Sequence, residues 1–158
     1  MSVSRVKEYL KKWDLDDKVM EFEVSSATVA LAAQALGVCE QRIAKTLSFK
    51  DKDESCILIV AAGDARVDNK KYKAEFGCKA KMLTLQEAID YTGHAVGGVC
   101  PFALPEGVKV YLDKSLCRFE TVFPACGSAN SAIELTLDEL FETSGAVKWV
   151  DISKIAEA

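Results

Sequence analysis

Cys56-Ile57-Leu58-Ile59-Val60-Ala61-Ala62-Gly63 is an unbroken apolar run of strand length, closed by glycine. A strand with one wet face alternates; a strand covered on both faces does not. This run therefore predicts a central strand buried from both sides. Just upstream, Asp51-Lys52-Asp53-Glu54 is a polar turn, and Thr46-Leu47-Ser48-Phe49 begins a strand before it. Together they predict a hairpin. Further upstream, Val29-Ala30-Leu31-Ala32-Ala33-Gln34-Ala35-Leu36 follows Thr28 and ends at Gly37, a helix with a start and a stop. A short helical turn over 40–44 leads to Lys45, where helical spacing gives way to extended spacing.

The outer segments mix both periods. Residues 3–13 have helical spacing, and 19–24 alternate as a short strand. Val67 to Phe76 reads as a basic helix, and Lys79-Ala80-Lys81-Met82 as a strand. Thr84-Leu85-Gln86-Glu87 and Thr136-Leu137-Asp138-Glu139 are capping-box signatures that open helices. Strands are expected over 108–112, 132–135 and 145–152. No regular βαβ rhythm appears, so a compact α+β or mixed-sheet domain over 1–158 is favoured over a doubly wound sheet.

The 158 residues are 49% hydrophobic with a net charge of −4, which argues against a surface coated for nucleic acid but allows a local basic patch. The densest such patch is Arg66, Lys70, Lys71 and Lys73, continued by Lys79 and Lys81. It reads either as a phosphate contact or as a solvated helix face. No signal-peptide run follows Met1 and no segment reaches membrane-spanning length, so a cytoplasmic protein is expected. The six cysteines form no C-x-x-C and the chain has one histidine, so no metal site and no cofactor are expected.

Three places carry candidate chemistry. Gly97-Gly98-Val99 before Cys100-Pro101-Phe102 offers successive backbone N–H groups to one oxygen, or is an ordinary tight loop. Gly127-Ser128-Ala129-Asn130 is a small polar loop, without the G-x-S-x-G pattern of a nucleophile elbow. Lys45 reads as a substrate-orienting ammonium or as a solvated lysine. Cys100 and His94 fall in one loop region, so a thiol–imidazole pair is conceivable beside the alternative of a buried thiol.

In order, Lys45-Thr46 after Leu36-Gly37-Val38, then Ala61-Ala62-Gly63-Asp64, then Val96-Gly97-Gly98-Val99-Cys100-Pro101-Phe102, then Gly127-Ser128 before Ile133-Glu134-Leu135, resemble the YbaK/prolyl-tRNA synthetase-associated (INS-like) domain family. The resemblance runs from about Glu21 to Leu140. It implies a mixed, barrel-like sheet with helices packed outside. It also implies hydrolysis of the ester joining a wrong amino acid, such as cysteine or alanine, to transfer RNA, commonly that for proline, with the synthetase as a partner. The family lysine matches Lys45, the glycine loop matches Gly97-Gly98-Val99-Cys100-Pro101, and the G-S segment matches Gly127-Ser128.

On that reading Gly97, Gly98 and Val99 cradle the oxyanion, and Lys45 anchors a phosphate or the carbonyl as a charge. Thr46, Cys100, Pro101, Gly127 and Ser128 border the substrate. Phe22, Ser26, Thr28, Phe102 and Ala129 are pocket candidates by nearness in sequence, and Arg66, Lys70, Lys71 and Lys73 are candidate tRNA contacts. No general base stands out, so the substrate's own ribose hydroxyl is expected to orient the water. Two other readings stay open: a non-catalytic module that holds an RNA end, nucleotide or partner on the same fold, and a thiol enzyme using Cys100.

Overall fold

The computed structural model describes residues 2–94 and 98–155. Its centre is the expected hairpin. Strand β2 (Ile43–Lys50) and strand β3 (Cys56–Ala62) pair antiparallel from Ala44↔Ala62 to Lys50↔Cys56. Every residue of β3 is buried. Leu58 and Val60 join the larger core, while Ile57 and Ile59 face a second one with Phe49 and Tyr72. The unbroken apolar run is thus a strand covered on both faces, as predicted.

Four more strands complete a mixed sheet in the order β8-β6-β2-β3-β5-β9. They are β5 (Lys109–Asp113), β6 (Thr121–Pro124), β8 (Leu135–Thr136) and β9 (Trp149–Val150). β5 runs parallel to β3 and to β9, β6 parallel to β2, and β8 antiparallel to β6. The sheet curls into a half-barrel, the mixed α+β architecture expected. Two short ribbons flank it: β1 (Met20–Glu21) with β7 (Ser131–Ala132), and β4 (Ala65–Val67) with β10 (Ser153–Ile155).

Helices α1 (Ser2–Leu10), α4 (Leu85–Thr92) and α5 (Leu137–Ser144) send Val6, Leu10, Ala88 and Leu140 into the larger core. Helix α3 (Asn69–Phe76) covers the opposite face. There Phe49, Tyr72, Phe76 and Tyr111 stack in a chain with centroids 5.1, 4.7 and 5.0 Å apart. Helix α2 (Val29–Leu36) lays Ala32 and Ala33 against Ile43 and Phe123. Both capping boxes are present, Thr84 with Glu87 and Thr136 with Glu139. No helix among the described residues is long and apolar enough to cross a membrane.

Several boundaries differ from the sequence expectation. The strand expected over 19–24 keeps only Met20–Glu21, because Phe22 and Ser26 donate instead to Asn130 and Ala129 carbonyls. The strand expected over 79–82 reduces to one bridge, Phe49↔Met82. The run over 132–135 splits between two sheets, and that over 145–152 yields β9 and leaves β10 to begin at Ser153. Lys45 is not at an element end: it is the third residue of β2, opposite Ala61.

Candidate active site

The site begins with an interruption. On its outer edge, β2 pairs with β6 only at Ile43 and Ala44. Further along, Leu83 N donates to Ser48 O at 3.1 Å and Lys50 N donates to Lys81 O at 2.8 Å. Main-chain groups alternate in direction along a strand. Thr46, two residues before Ser48, therefore turns its N–H and C=O to the same edge. Among the described residues, no strand pairs with it there.

A cleft of about 280 Å³ opens at this break. Lys45, Thr46 and Ser48 form its floor, and the alanines Ala44, Ala125 and Ala132 form a wall with Phe123. The first turns of α2 and α4 reach its rim through Thr28 and Val29 and through Thr84 and Leu85. A helix N-terminus carries partial positive charge, so both ends favour an anionic group between them. Thr46 Oγ1 is buried and has no hydrogen-bond partner among the described residues.

Lys45 supplies the formal charge. Its Nζ donates to the carbonyls of Ala65 and of Gly63, the latter at 3.4 Å. An ammonium has three N–H groups, so one is left for a ligand. Burial lowers the Lys45 pKa, Asp64 works against that, and Arg66 adds to it. Asp64 is itself occupied by Arg118, which donates to both its oxygens at 3.0 and 2.5 Å and holds its pKa down. The lysine is therefore seated on neutral carbonyls rather than in an ion pair.

The two glycine loops meet. A Cβ on Gly98 would stand 2.4 Å from Ser128 N and 2.5 Å from Gly127 C, so only glycine permits this approach. Gly127 has φ +93°, a conformation that also favours glycine. The contact presents the next residue, Val99, on the cleft wall. Gly97 lies outside the described residues.

Of the other sequence candidates, Ser26 and Thr28 line the cleft. Phe22, Gly127, Ser128 and Ala129 stand behind its wall. Ser26 N donates to Ala129 O at 2.6 Å, Asn130 Nδ2 donates to Phe22 O at 2.9 Å, and Ser128 Oγ bonds to Asn130 and Ser131 at 2.8 Å. Cys100 and Phe102 are fully buried in the core, and Pro101 is buried between them, so these three do not border the cleft. Lys71 is engaged by Asp151 at 3.1 Å and by Ser153 O at 2.9 Å, whereas Arg66, Lys70 and Lys73 are exposed.

Cys100 and His94 do touch, with Sγ 3.5 Å from Nε2. The same Nε2 lies 2.8 Å from Phe102 O. A carbonyl only accepts, so Nε2 carries the proton and cannot take one from the thiol. Burial pushes the Cys100 thiol up to about 12 and lowers the His94 pKa. The pair is a packed, neutral contact and not an activated nucleophile.

Sequence reading missed Ser131, Ala125 and the rim formed by Met82 and Leu85. Met82 and Leu85 are 58% and 70% exposed, unusual for large apolar residues beside a pocket. Exposure of this kind leaves no periodic trace in a loop and the first turn of a helix.

Residues 23–143 match the aminoacyl-tRNA editing domain family. Among relatives, the chain is 54% identical to YwhH, an uncharacterized protein of Bacillus subtilis (strain 168), over 98% of each chain. It is 28% identical to EbsC of Enterococcus faecalis (strain ATCC 700802 / V583), named as a candidate Cys-tRNA(Pro)/Cys-tRNA(Cys) deacylase, over 82% of this chain and 74% of that one. A solved structure described as a candidate trans-editing enzyme for prolyl tRNA synthetase superposes with TM-score 0.86 at 30% identity, covering 97% of both chains.

Proposed function

Because this chain belongs to the aminoacyl-tRNA editing domain family, we propose that its cleft hydrolyses the ester of a mischarged transfer RNA and releases the wrong amino acid. The observation that carries this reading is the break in the β2 edge, which sets an ammonium and an unpaired main-chain segment in one small cleft. Ester hydrolysis builds negative charge on the carbonyl oxygen. Donors fixed in advance around that oxygen lower the barrier, one such donor being worth roughly 3 kcal/mol. On this reading the donors are the remaining Lys45 N–H and the main-chain N–H groups of Thr46 and Val99, which line the cleft, with that of Gly98 beside them.

The described wall of the cleft carries no carboxylate and no imidazole. Water activation therefore falls to the substrate: the ribose hydroxyl beside the ester orients the attacking water. The volume, just under the roughly 300–1,000 Å³ typical of small-ligand pockets, and the alanine-rich wall favour a small aminoacyl group such as cysteinyl or alanyl. One methylene changes such a preference by only about 1–3 kcal/mol. The likeness to a structure described for prolyl tRNA synthetase supports transfer RNA for proline as substrate and that synthetase as partner.

The test is multiple-turnover release of amino acid from proline transfer RNA charged with cysteine, alanine or proline. The expected result is release of cysteine or alanine, reduced on the order of 100-fold by Lys45→Ala. Binding without release across the panel would instead make the domain a holding module and overturn the reading.

A further inference from the structure

Arg66 and Lys154 face each other directly across the β4–β10 ribbon as register partners. Like charges opposed on an antiparallel pair destabilise it. Both side chains are exposed, and neither forms an ion pair among the described residues. Of the nearby acids among the described residues, Asp64 is paired with Arg118 and Asp151 with Lys71, while Asp68, the α3 cap that accepts from Lys70 N and Lys71 N at 3.0 and 3.1 Å, attracts Lys154 only at long range, without an ion-pair contact. A local rule broken with no ion pair to offset it marks a place that an external partner can complete.

The ribbon's position says what that partner is. Ala65, the neighbour of Arg66 on β4, gives the carbonyl that seats the Lys45 ammonium. The repulsive pair therefore adjoins the cleft that receives the ester. From this juxtaposition we propose that Arg66 and Lys154 form a two-pronged clamp for backbone phosphates of the RNA strand next to its ester-bearing end. The proposal rests on the editing reading and deepens it. It moves the basic contact away from the α3 run, where Lys71 is held by Asp151 and Ser153, to a strand pair that only the fold assembles.

The test measures binding of uncharged proline transfer RNA across a salt series for wild type, Arg66→Gln, Lys154→Gln and the double variant. Each lost phosphate contact is expected to flatten the logarithmic salt dependence by about 1. The KM for mischarged transfer RNA rises in parallel. The fold-loss on the full-length substrate exceeds that on a phosphate-free aminoacyl-adenosine ester. Relieving the opposed charges leaves Tm equal or higher. The charge-keeping variants Arg66→Lys and Lys154→Arg restore the slope. An unchanged slope in the double variant overturns the clamp, even with deacylation intact. So does displacement of the RNA by equimolar inorganic phosphate, which would make the pair a free-anion site. If wild type releases no amino acid yet shows the charge-dependent slope, the clamp stands and the deacylase reading falls.

Discussion

Lys45 is a charge held by neutral oxygens, and that fixes its pH behaviour. Its pKa lies below the ordinary lysine value, chiefly because it is partly withdrawn from water. Between the folded and unfolded values, the unfolded chain binds more protons than the folded one. Stability therefore rises with pH through that window, the reverse of what a paired lysine gives. If the ammonium carries the reaction, deacylation shows an alkaline limb below the ordinary lysine range. Lys45→Met removes the activity while leaving thermal stability equal or greater, measured by paired rate–pH and melting curves. Cys100 behaves oppositely. With its thiol pushed up to about 12 inside the core, it resists alkylation at neutral pH while exposed Cys39 and Cys117 react. Cys100→Ala keeps deacylation and costs about 1 kcal/mol of stability, the value of one buried methylene-sized group. Loss of turnover in that variant would restore the thiol-enzyme alternative.

Among the elements, α4 ties the cleft rim to the sheet. Glu87 accepts from Thr84 N at 3.0 Å and from Lys50 Nζ at 2.7 Å, so one carboxylate caps the helix and fastens it to β2. The Lys50 contact is the main reason its pKa falls to about 2. A depressed carboxylate adds stability above its unfolded pKa, and this is lost as pH falls toward the folded value. Melting temperature is thus expected to drop between about pH 4.5 and 2, and Glu87→Gln to flatten that part of the curve. The caps of α2, α4 and α5 and the doubly covered β3 were legible in sequence because each is written in contiguous residues. The three-residue strands β4 and β10 were not, being too short to show a period, and the short strands β1, β7, β8 and β9 were legible only as longer runs with other bounds. The cleft was only half legible. Lys45, Thr46, Ser26, Thr28 and Val99 line it. Its cause, the place where β6 stops pairing with β2 and the stretch around Met82 starts, is a relation between distant segments.

For the molecule as a whole, Asp113 joins pieces that sequence leaves far apart. This fully buried carboxylate accepts from Ser115 N at 3.0 Å, Ile152 N at 2.9 Å and Ser153 Oγ at 2.6 Å. Ser115 Oγ in turn accepts from Ala62 N at 3.0 Å. The end of the central hairpin, the end of β5 and the start of β10 are thereby one network. Asp113→Ala strands several buried donors, each costing about 1–3 kcal/mol. The expected loss is on the order of 3 kcal/mol or more by denaturant unfolding. Gly98→Ala tests the other long-range joint. Its Cβ meets backbone at 2.4 Å, and such overpacking costs roughly 1–3 kcal/mol. A drop in deacylation beyond the unfolded fraction is expected, because Val99 is carried on that contact.

The break in the β2 edge also bears on how the protein keeps to itself. An unpaired sheet edge invites another strand to add to it, and long flat edges are the usual sites of β-aggregation. Here the opening is bracketed by Ala44, paired with β6, and by Ser48, bonded to Leu83. Among the described residues, the main chain around Thr46 is left without a strand partner between them. A strand needs several consecutive partners and finds no footing in so short a gap, whereas a single carbonyl or amine fits. The fold thus offers bare backbone to a small group while withholding it from a polypeptide.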